Sequence, residues 1–414
     1  MTSAIIISIC LLLLIAYIFD VSSPFATRVE TAYLLLIAYI FDVSSPKTRI
    51  PSIILMLLVG WAVRQGANFF GIQIPDLSPI LPVIGTIGLI LIVFEGALEL
   101  ELNRSKKSII ISSALMSFVP MVILSFGIAI AFDYFSGVGL RSGLINAIPF
   151  AVISSAIAIS SSQNLQNKYR EYITYESSFS DIFGVVFFNF IVRNEVISIK
   201  SFTDFTIQII MILIVTIIAT LGLAFLLSKI RNRVKFLPII LLIILIYTVA
   251  KMYHLPALIF IFIFGLFIGN LDKFKRFSFV ERLQPEVFVK EVDKFEELTN
   301  EITFSIRALF FLLFGYLIET SELLNTHTIM WSSGIFVGIF ILRSIFLKVF
   351  RQNIDPLLFI APRGLITILL FITIPEGQQI GLVNNSMVIQ IIILTAIFMM
   401  VGLMITGSNK RQTT

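Results

Sequence analysis

Apolar residues fill this chain in long runs, and short segments rich in charged residues separate the runs. Most runs approach the roughly 20 residues that an α-helix needs to cross a hydrocarbon core of about 30 Å. The pattern therefore predicts an all-α polytopic membrane protein with about thirteen transmembrane helices. The predicted spans cover 3–19, 51–70, 79–99, 108–132, 141–162, 175–193, 203–228, 235–251, 255–271, 302–319, 328–349, 355–375 and 386–407.

The composition agrees with this pattern and excludes several classes of protein. Hydrophobic residues make up 57% of the 414 residues and charged residues only 13%, which leaves too little polar surface to close a soluble globule. A single cysteine, Cys10, rules out a disulfide framework, and the distant His254 and His327 argue against a histidine metal site. We expect no bound cofactor. The basic residues lie in short loops, as in membrane topology, so no nucleic-acid partner is expected either.

Basic residues fall in the loops on one side of the predicted bundle. Arg104 and Lys168 are examples, whereas loops on the other side carry acids such as Glu319 and Glu376. Basic loops stay in the cytoplasm. We therefore expect a multi-pass protein of the cell inner (plasma) membrane, with the N-terminus outside and a cytoplasmic tail at 408–414.

The segment LLLIAYIFDVSSP occurs at 12–24 and again, letter for letter, at 34–46. The first copy extends an uncharged run, whereas the second follows charged residues and is too short to cross a membrane unaided. We therefore predict a first span within 1–24 and a duplicated, non-spanning insertion at 25–46. The alternative is an extra span, which would place the N-terminus inside.

Residues 272–301 mix charges of both signs and place Phe288, Phe295 and Ile302 on one helical face. This pattern predicts an amphipathic connector that lies at the cytoplasmic interface.

A weak internal symmetry relates two distant segments. LIVFEGALELEL, which ends the third predicted span, resembles LLFGYLIETSEL, which ends the tenth. An offset of seven spans orients the two copies oppositely. Inverted repeats of this kind build many secondary transporters.

Two acids, Glu176 and Asp181, lie in the otherwise apolar YESSFSDIFGVVFFNFI. A carboxylate in the hydrocarbon region is a functional candidate, because its desolvation is costly without a partner or a water-filled cavity. On a helix the two diverge by about 140°, so they face different surroundings. Arg363, in the twelfth span, needs an anion, and Pro362 and Gly364 beside it predict a helix break. A purely structural ion-pair cluster is the alternative.

Six segments follow one another along the chain and together span most of it: VFEGALELEL, ISSAIAISSS, ESSFSD, FIFGLFIGN, RALFFLLFGYLI and APRGLI. In this order they resemble the monovalent cation:proton antiporter superfamily in its sodium/proton exchanger branch. ESSFSD is similar to the branch's Glu-Ser-x-x-Asn-Asp motif, with Glu176, Ser177 and Asp181 matching and Ser180 standing where Asn is usual.

The resemblance implies an inverted-repeat antiporter fold with discontinuous crossing helices, formed by spans five and twelve. It implies one transmembrane domain at 47–407, with a mobile core near 108–193 and 328–407, a scaffold for dimerisation in the remainder, and a homodimer. It further implies ion binding at Asp181 and an ion pair between Glu176 and Arg363.

The chain departs from the family pattern in span five. The usual Thr-Asp-Pro aligns with Ala156, Ile157 and Ala158, which removes a polar ligand and a helix breaker. Serine hydroxyls are the remaining candidate ion ligands beside Asp181, and they belong to Ser154, Ser155, Ser177 and Ser180.

These features predict a secondary active antiporter, not an enzyme, that exchanges Na⁺, or alternatively K⁺ or Li⁺, for H⁺ within membrane lipid. Asp181 would bind either a proton or the transported cation, and only the neutralised site would cross the low-dielectric barrier cheaply, in an electroneutral 1:1 cycle. A non-transporting membrane sensor, or a membrane-embedded enzyme on the same scaffold, is the alternative. An enzyme would need a nucleophile or metal constellation that the few Cys and His residues do not supply.

Overall fold

The computed structural model describes most of the chain, namely residues 52–71, 76–100, 104–229, 236–252, 257–270 and 285–409. These residues form helices and connecting loops, with no β-strand among them. Eight of their helical segments are long and apolar enough to cross a membrane. The helices are α1 Ser52–Phe70, α2 Leu81–Glu99, α3 Lys107–Ser136, α4 Leu140–Ala151, α5 Ser155–Ser162, α6 Asn167–Arg193, α7 Ile199–Lys229, α8 Phe236–Met252, α9 Ala257–Gly269, α10 Pro285–Leu317, α11 Thr320–Leu323, α12 Thr326–Val349, α13 Ile354–Leu357, α14 Leu365–Ile372 and α15 Asn385–Asn409.

The apolar pattern predicted these helices well. Each span predicted from residue 51 onward coincides with a helix or with an interrupted helix pair, so the all-α membrane fold is confirmed. The first predicted span, the insertion predicted at 25–46 and the tail from residue 410 lie outside the described residues.

Residues 272–284 of the predicted interfacial connector lie outside the described residues, and its placement at the cytoplasmic interface stays a prediction. Residues 285–301 form the first half of α10 and continue without a break into the tenth predicted span. Phe295 is fully buried, with its ring 5.7 Å from that of Phe94 in α2. The mixed charges of this segment did not indicate that it packs in the bundle. A long helix can carry charges on one side while its other side packs against neighbouring helices.

A scaffold group of helices consists of α1, α2 and α10, with α9 packed on α2 and with α7 and α8 packed on α9. Helices α1 and α10 approach closely at two glycines. Gly60 faces the carbonyl of Leu312, and Gly315 faces that of Leu57, so a Cβ at either glycine would strike backbone. Small residues allow such contacts between membrane helices.

A core group of helices contains two similar units. Each unit is a long helix, an interrupted helix and a second long helix, namely α3, α4 with α5, and α6, and then α12, α13 with α14, and α15. The units contact each other through α3 with α12 and α4 with α14, and α2 joins the scaffold to α6 and α14.

The helix ends lie on two faces of the bundle, which we name by one arginine each. On the Arg64 face, Arg64 Nη2 lies 3.0 Å from Glu319 Oε1, joining the ends of α1 and α10. On the Arg351 face, Asn353 donates a 2.8 Å hydrogen bond to the Tyr169 hydroxyl, joining the α12–α13 loop to the start of α6. Helix α3 begins at the Arg351 face and α12 at the Arg64 face, so the two units run in opposite directions.

Candidate functional site

The first interrupted helix consists of α4 and α5. Its backbone is extended at Val152 (φ −78°, ψ 133°) and at Ser154 (φ −80°, ψ 114°). Ala156, Ile157 and Ala158, where the sequence lacks the family's Thr-Asp-Pro, lie inside α5. The helix is broken just before them without the family's proline.

The second interruption separates α13 from α14 and contains both predicted helix-break residues, Pro362 and Gly364. The two interruptions cross, because the Ser154 N–H donates to the Pro362 carbonyl at 2.9 Å. A Cβ on Gly364 would meet the Ile157 side chain and lie 3.0 Å from the Ser154 hydroxyl. The glycine therefore permits the close crossing.

Arg363 holds the crossing through backbone carbonyls. Its Nε donates to Phe150 O at 2.7 Å, Nη1 to Ala361 O at 2.7 Å and Nη2 to Ala151 O at 3.2 Å. Phe150 and Ala151 end α4, so their carbonyls have lost helical partners and carry the negative end of the helix dipole. The buried guanidinium of Arg363 donates hydrogen bonds to these carbonyls and places a positive charge at the negative end of the dipole.

Glu176 is paired with Arg343, not with Arg363 as the sequence predicted. Arg343 Nη1 and Nη2 donate to the two carboxylate oxygens at 2.6 and 3.0 Å, and both side chains are buried. Arg343 Nε also donates to Leu357 O at 2.8 Å. Bidentate geometry of this kind gives the strongest arginine–carboxylate pairs. Arg363 makes its hydrogen bonds to backbone carbonyls instead of to Glu176.

Asp181 is the second buried acid of α6, and its surroundings differ. The hydroxyl of Ser155 donates to Oδ2, and the Ser155 backbone N–H also interacts with the carboxylate. Oδ1 has no hydrogen-bond partner among the described residues. The carboxylate therefore lies at the N-terminus of α5, where the helix dipole favours an anion, with one oxygen left for a ligand.

The other predicted serine ligands have structural partners. Ser180 Oγ accepts the Ile153 N–H at 2.9 Å, so it ties α6 to the first interruption. Ser177 donates to Ile173 O in its own helix at 2.7 Å. Ser154 contributes its backbone N–H to the crossing. Of the four serines, Ser155 is the one that the structure joins to Asp181.

Sequence reasoning missed two residues of the site. Arg343 lies within the predicted span 328–349, and the rule that marked Arg363, a charge inside an apolar run, could have found it. Thr395 Oγ1 accepts the backbone N–H of Arg363 at 3.1 Å. A threonine inside an apolar helix gives no comparable signal, because its hydroxyl usually bonds its own backbone.

The fold and this site together define a class of protein. Oppositely oriented repeats, each with an interrupted helix, cross around a buried carboxylate, as in secondary active transporters. The sodium/hydrogen exchanger family, in its transmembrane part, matches residues 32–407. The chain belongs to this family and is a cation:proton antiporter, not an enzyme.

Solved structures show the same fold. The structure of the sodium proton antiporter MjNhaP1 from Methanocaldococcus jannaschii at pH 8 has a TM-score of 0.61 and 19% identity, and covers 89% of this chain and 93% of that one. An electron-microscopy map of the same antiporter has a TM-score of 0.61 and 18% identity, covering 93% and 96%. No curated protein sequence matches the chain.

The family match also bears on the duplicated segment. Because it begins at residue 32, it includes the second copy at 34–46 and leaves out the first copy at 12–24. This start favours the second copy as the segment that the family shares.

Proposed function

We propose that the protein exchanges Na⁺ for H⁺ at Asp181 by alternating access. One observation carries this proposal: the carboxylate is buried at the helix crossing, with one oxygen held by Ser155 and the other without a hydrogen-bond partner among the residues that the structure describes. A buried charge of this kind is costly until a proton or a cation neutralises it. Competition of the two for one oxygen couples their gradients.

Each neighbour of Asp181 has a separate part in this mechanism. Ser155 orients the carboxylate and offers its hydroxyl oxygen to a hard cation, which prefers oxygen ligands. Ser180 and Ser154 hold the interruptions in place, so that the N-terminus of α5 stays next to the carboxylate. The core group then moves as one unit against the scaffold, carrying the neutralised site.

The charge count supports an electroneutral cycle. Glu176 and Arg343 cancel each other, and Arg363 keeps its charge throughout. Asp181 is then the group that changes its occupant, and one H⁺ moves for each Na⁺.

The test uses the full chain in sealed vesicles with a pH-sensitive dye, and scans Na⁺, K⁺ and Li⁺. We expect proton flux driven by the Na⁺ gradient. The gradient at which net proton flux is zero should not change when K⁺ and valinomycin clamp the membrane potential. A zero point that shifts with voltage would contradict the 1:1 count. Flux with K⁺ or Li⁺ and none with Na⁺ would change the assigned cation.

An access route lies on the Arg64 face. A cavity of about 820 Å³ opens there between the scaffold helices α1, α2 and α10 and the core helices α14 and α15. Its charged lining consists of three acids and one arginine, namely Asp76, Glu319, Glu322 and Arg64, and so carries a net negative charge. A negative mouth raises the local concentration of cations. This cavity supports cation entry from the Arg64 face.

The distribution of charge supports the orientation that the sequence predicted. Lys106, Lys107, Lys168 and Arg351 lie at the Arg351 face. We therefore place that face and the C-terminus in the cytoplasm, and the Arg64 face outside an inner (plasma) membrane. Labelling of single cysteines introduced at the two faces with an impermeant reagent tests this orientation.

A homodimer in membrane lipid completes the proposal, and it rests on the family resemblance. Counting photobleaching steps of singly labelled protein in lipid nanodiscs should give two steps for most particles. Single steps throughout would reject the dimer.

A further inference from the structure

A second cavity, of about 230 Å³, lies on the Arg351 face, away from the helix crossing. Three segments of the core group wall it. They are the start of α3 with Ser108, the start of α6 with Lys168 and Tyr172, and the α12–α13 loop with Arg351 and Asn353. The antiport mechanism uses none of these residues.

The cavity is positively charged. Lys168 and Arg351 line it, and none of the described residues in its lining is acidic. The nearby Glu171 is engaged elsewhere, because its carboxylate lies 2.7 Å from the Lys106 ammonium. A lining with two cations and no acid attracts anions.

Two helix N-termini add to this charge. Ser108 and Lys168 are the second residues of α3 and α6, and neither helix has a side-chain cap on its first N–H groups. The positive ends of two helix dipoles therefore lie at one cavity, that of α6 directly and that of α3 through the 3₁₀ turn Arg104–Lys106 before it. Such ends bind phosphate and similar oxyanions.

A buried hydroxyl points to a missing partner. The side chain of Tyr172 is 4% exposed and lines the cavity, yet its hydroxyl has no hydrogen-bond partner within the part of the chain that the structure describes. The nearby Ser112 donates its hydroxyl hydrogen to Ile109 O at 3.1 Å, so it cannot also donate to the Tyr172 oxygen. The Ser112 oxygen interacts with the phenol without reaching hydrogen-bond geometry. Buried phenolic groups normally have a partner.

We propose that this cavity binds a phosphate-type oxyanion, either free phosphate or the phosphate of an anionic lipid headgroup. Arg351 and Lys168 would neutralise the oxyanion, and Tyr172 and the two helix ends would donate hydrogen bonds to its oxygens. Because one water takes about 30 Å³ of liquid, the cavity has room for a single tetrahedral oxyanion with some water. Free nucleotides are too large to enter beyond one phosphate group.

The cavity also borders the structural ion pair. Leu357 lines it, and the carbonyl of Leu357 accepts the hydrogen bond from Arg343 Nε. A bound oxyanion would therefore fasten α3, α6 and the α12–α13 loop together beside the Glu176–Arg343 pair. We expect it to stabilise the core group, whichever cation the protein transports.

The test measures binding of radiolabelled inorganic phosphate to the purified full chain in detergent, at constant ionic strength, together with the midpoint of thermal unfolding. We expect saturable binding and a rise in the midpoint that saturates with it. The double variant Lys168→Gln and Arg351→Gln should weaken binding at least tenfold, as loss of charged hydrogen-bond donors does. Lys348→Gln is the matched control, because Lys348 is exposed on the same face but does not line the cavity.

Tyr172→Phe covers the case in which the double variant fails to fold, since it removes only the hydroxyl. It should weaken phosphate binding several-fold.

Nanodiscs of phosphatidylcholine with and without phosphatidylglycerol distinguish the two sources of phosphate. Competition by phosphatidylglycerol would identify the headgroup, and undiminished phosphate binding would identify the free anion. Absence of saturable binding, or equal binding by the Lys168/Arg351 variant and the Lys348 control, would overturn the proposal.

Discussion

Helix α6 carries two buried acids, and the regions around them differ in one respect. Glu176 has both carboxylate oxygens bound by the guanidinium of Arg343, whereas Asp181 has one oxygen held by Ser155 and one that no described residue binds. Burial is nearly the same for both, at 1% and 2% exposure. Burial alone therefore does not separate a structural acid from an ion-binding one.

The two acids differ in how far a partner in the protein balances their buried charge. A buried pair that is fully hydrogen-bonded resists change, because loss of either partner strands a charge. A carboxylate with a free oxygen and only dipolar neighbours can exchange one occupant for another at small structural cost. We infer that Glu176 maintains the core group and that Asp181 carries the transported ion.

The largest expected effect comes from Asp181→Asn. The amide keeps the shape of the side chain but can neither release a proton nor balance Na⁺, so exchange in vesicles should be abolished. The protein should stay folded, because the change removes an expensive buried charge. Asp204→Asn, at an exposed carboxylate on α7, is the matched control and should exchange normally. Residual exchange in Asp181→Asn would place the ion site elsewhere.

The second prediction tests the structural acid. Arg343→Ala should cost about 3–5 kcal/mol of stability, because it leaves the Glu176 charge buried and unpaired. Adding Glu176→Ala should recover part of this loss. The measurement is unfolding of the single and double variants in detergent.

Arg363 supplies the control for this cycle. Arg363→Ala should also destabilise the protein, because the carbonyls of Phe150 and Ala151 lose their donor. Adding Glu176→Ala to it should bring no recovery. The reverse outcome, with recovery for Arg363 and none for Arg343, would restore the pairing that the sequence suggested.

A smaller effect is expected from Ser155→Ala. The hydroxyl orients the Asp181 carboxylate, and its loss costs about 1–3 kcal/mol at a charged acceptor. We expect the KM for Na⁺ to rise roughly tenfold, with exchange retained. Ser160→Ala is the control on the same helix, because the Ser160 hydroxyl donates to its own backbone at Ala156 O, 3.0 Å away. Equal effects of the two changes would remove Ser155 from the site.

The smallest effect is expected far from α6, at the duplicated segment. Because the two copies are identical, deletion of 25–46 gives the same chain as deletion of 12–33. That chain keeps one copy behind the uncharged run SAIIISIC, so exchange and the unfolding midpoint should not change. Loss of folding would show that the protein needs both copies or the residues between them.

Most of the fold follows from the sequence, because membrane crossing imposes length and polarity on each helix separately. The interruption at Pro362 and Gly364 was predictable for a similar local reason. The interruption before Ser155 was expected only from the family resemblance, because no residue beside it marks a break. Its freed backbone groups are satisfied by Arg363, Ser180 and Pro362, which are distant in the sequence and meet only in the folded protein.

The sequence by itself determined the membrane-spanning helices, the two acids of α6 and the family, since each of these depends on residue types along one stretch of chain. The tertiary structure decided which arginine pairs with Glu176 and which oxygen of Asp181 is left free. Both arginines lie in apolar spans and both need an anionic or carbonyl partner, so the residue types do not distinguish them. Only the crossing, which gives Arg363 the carbonyls at the end of α4, leaves Arg343 for Glu176.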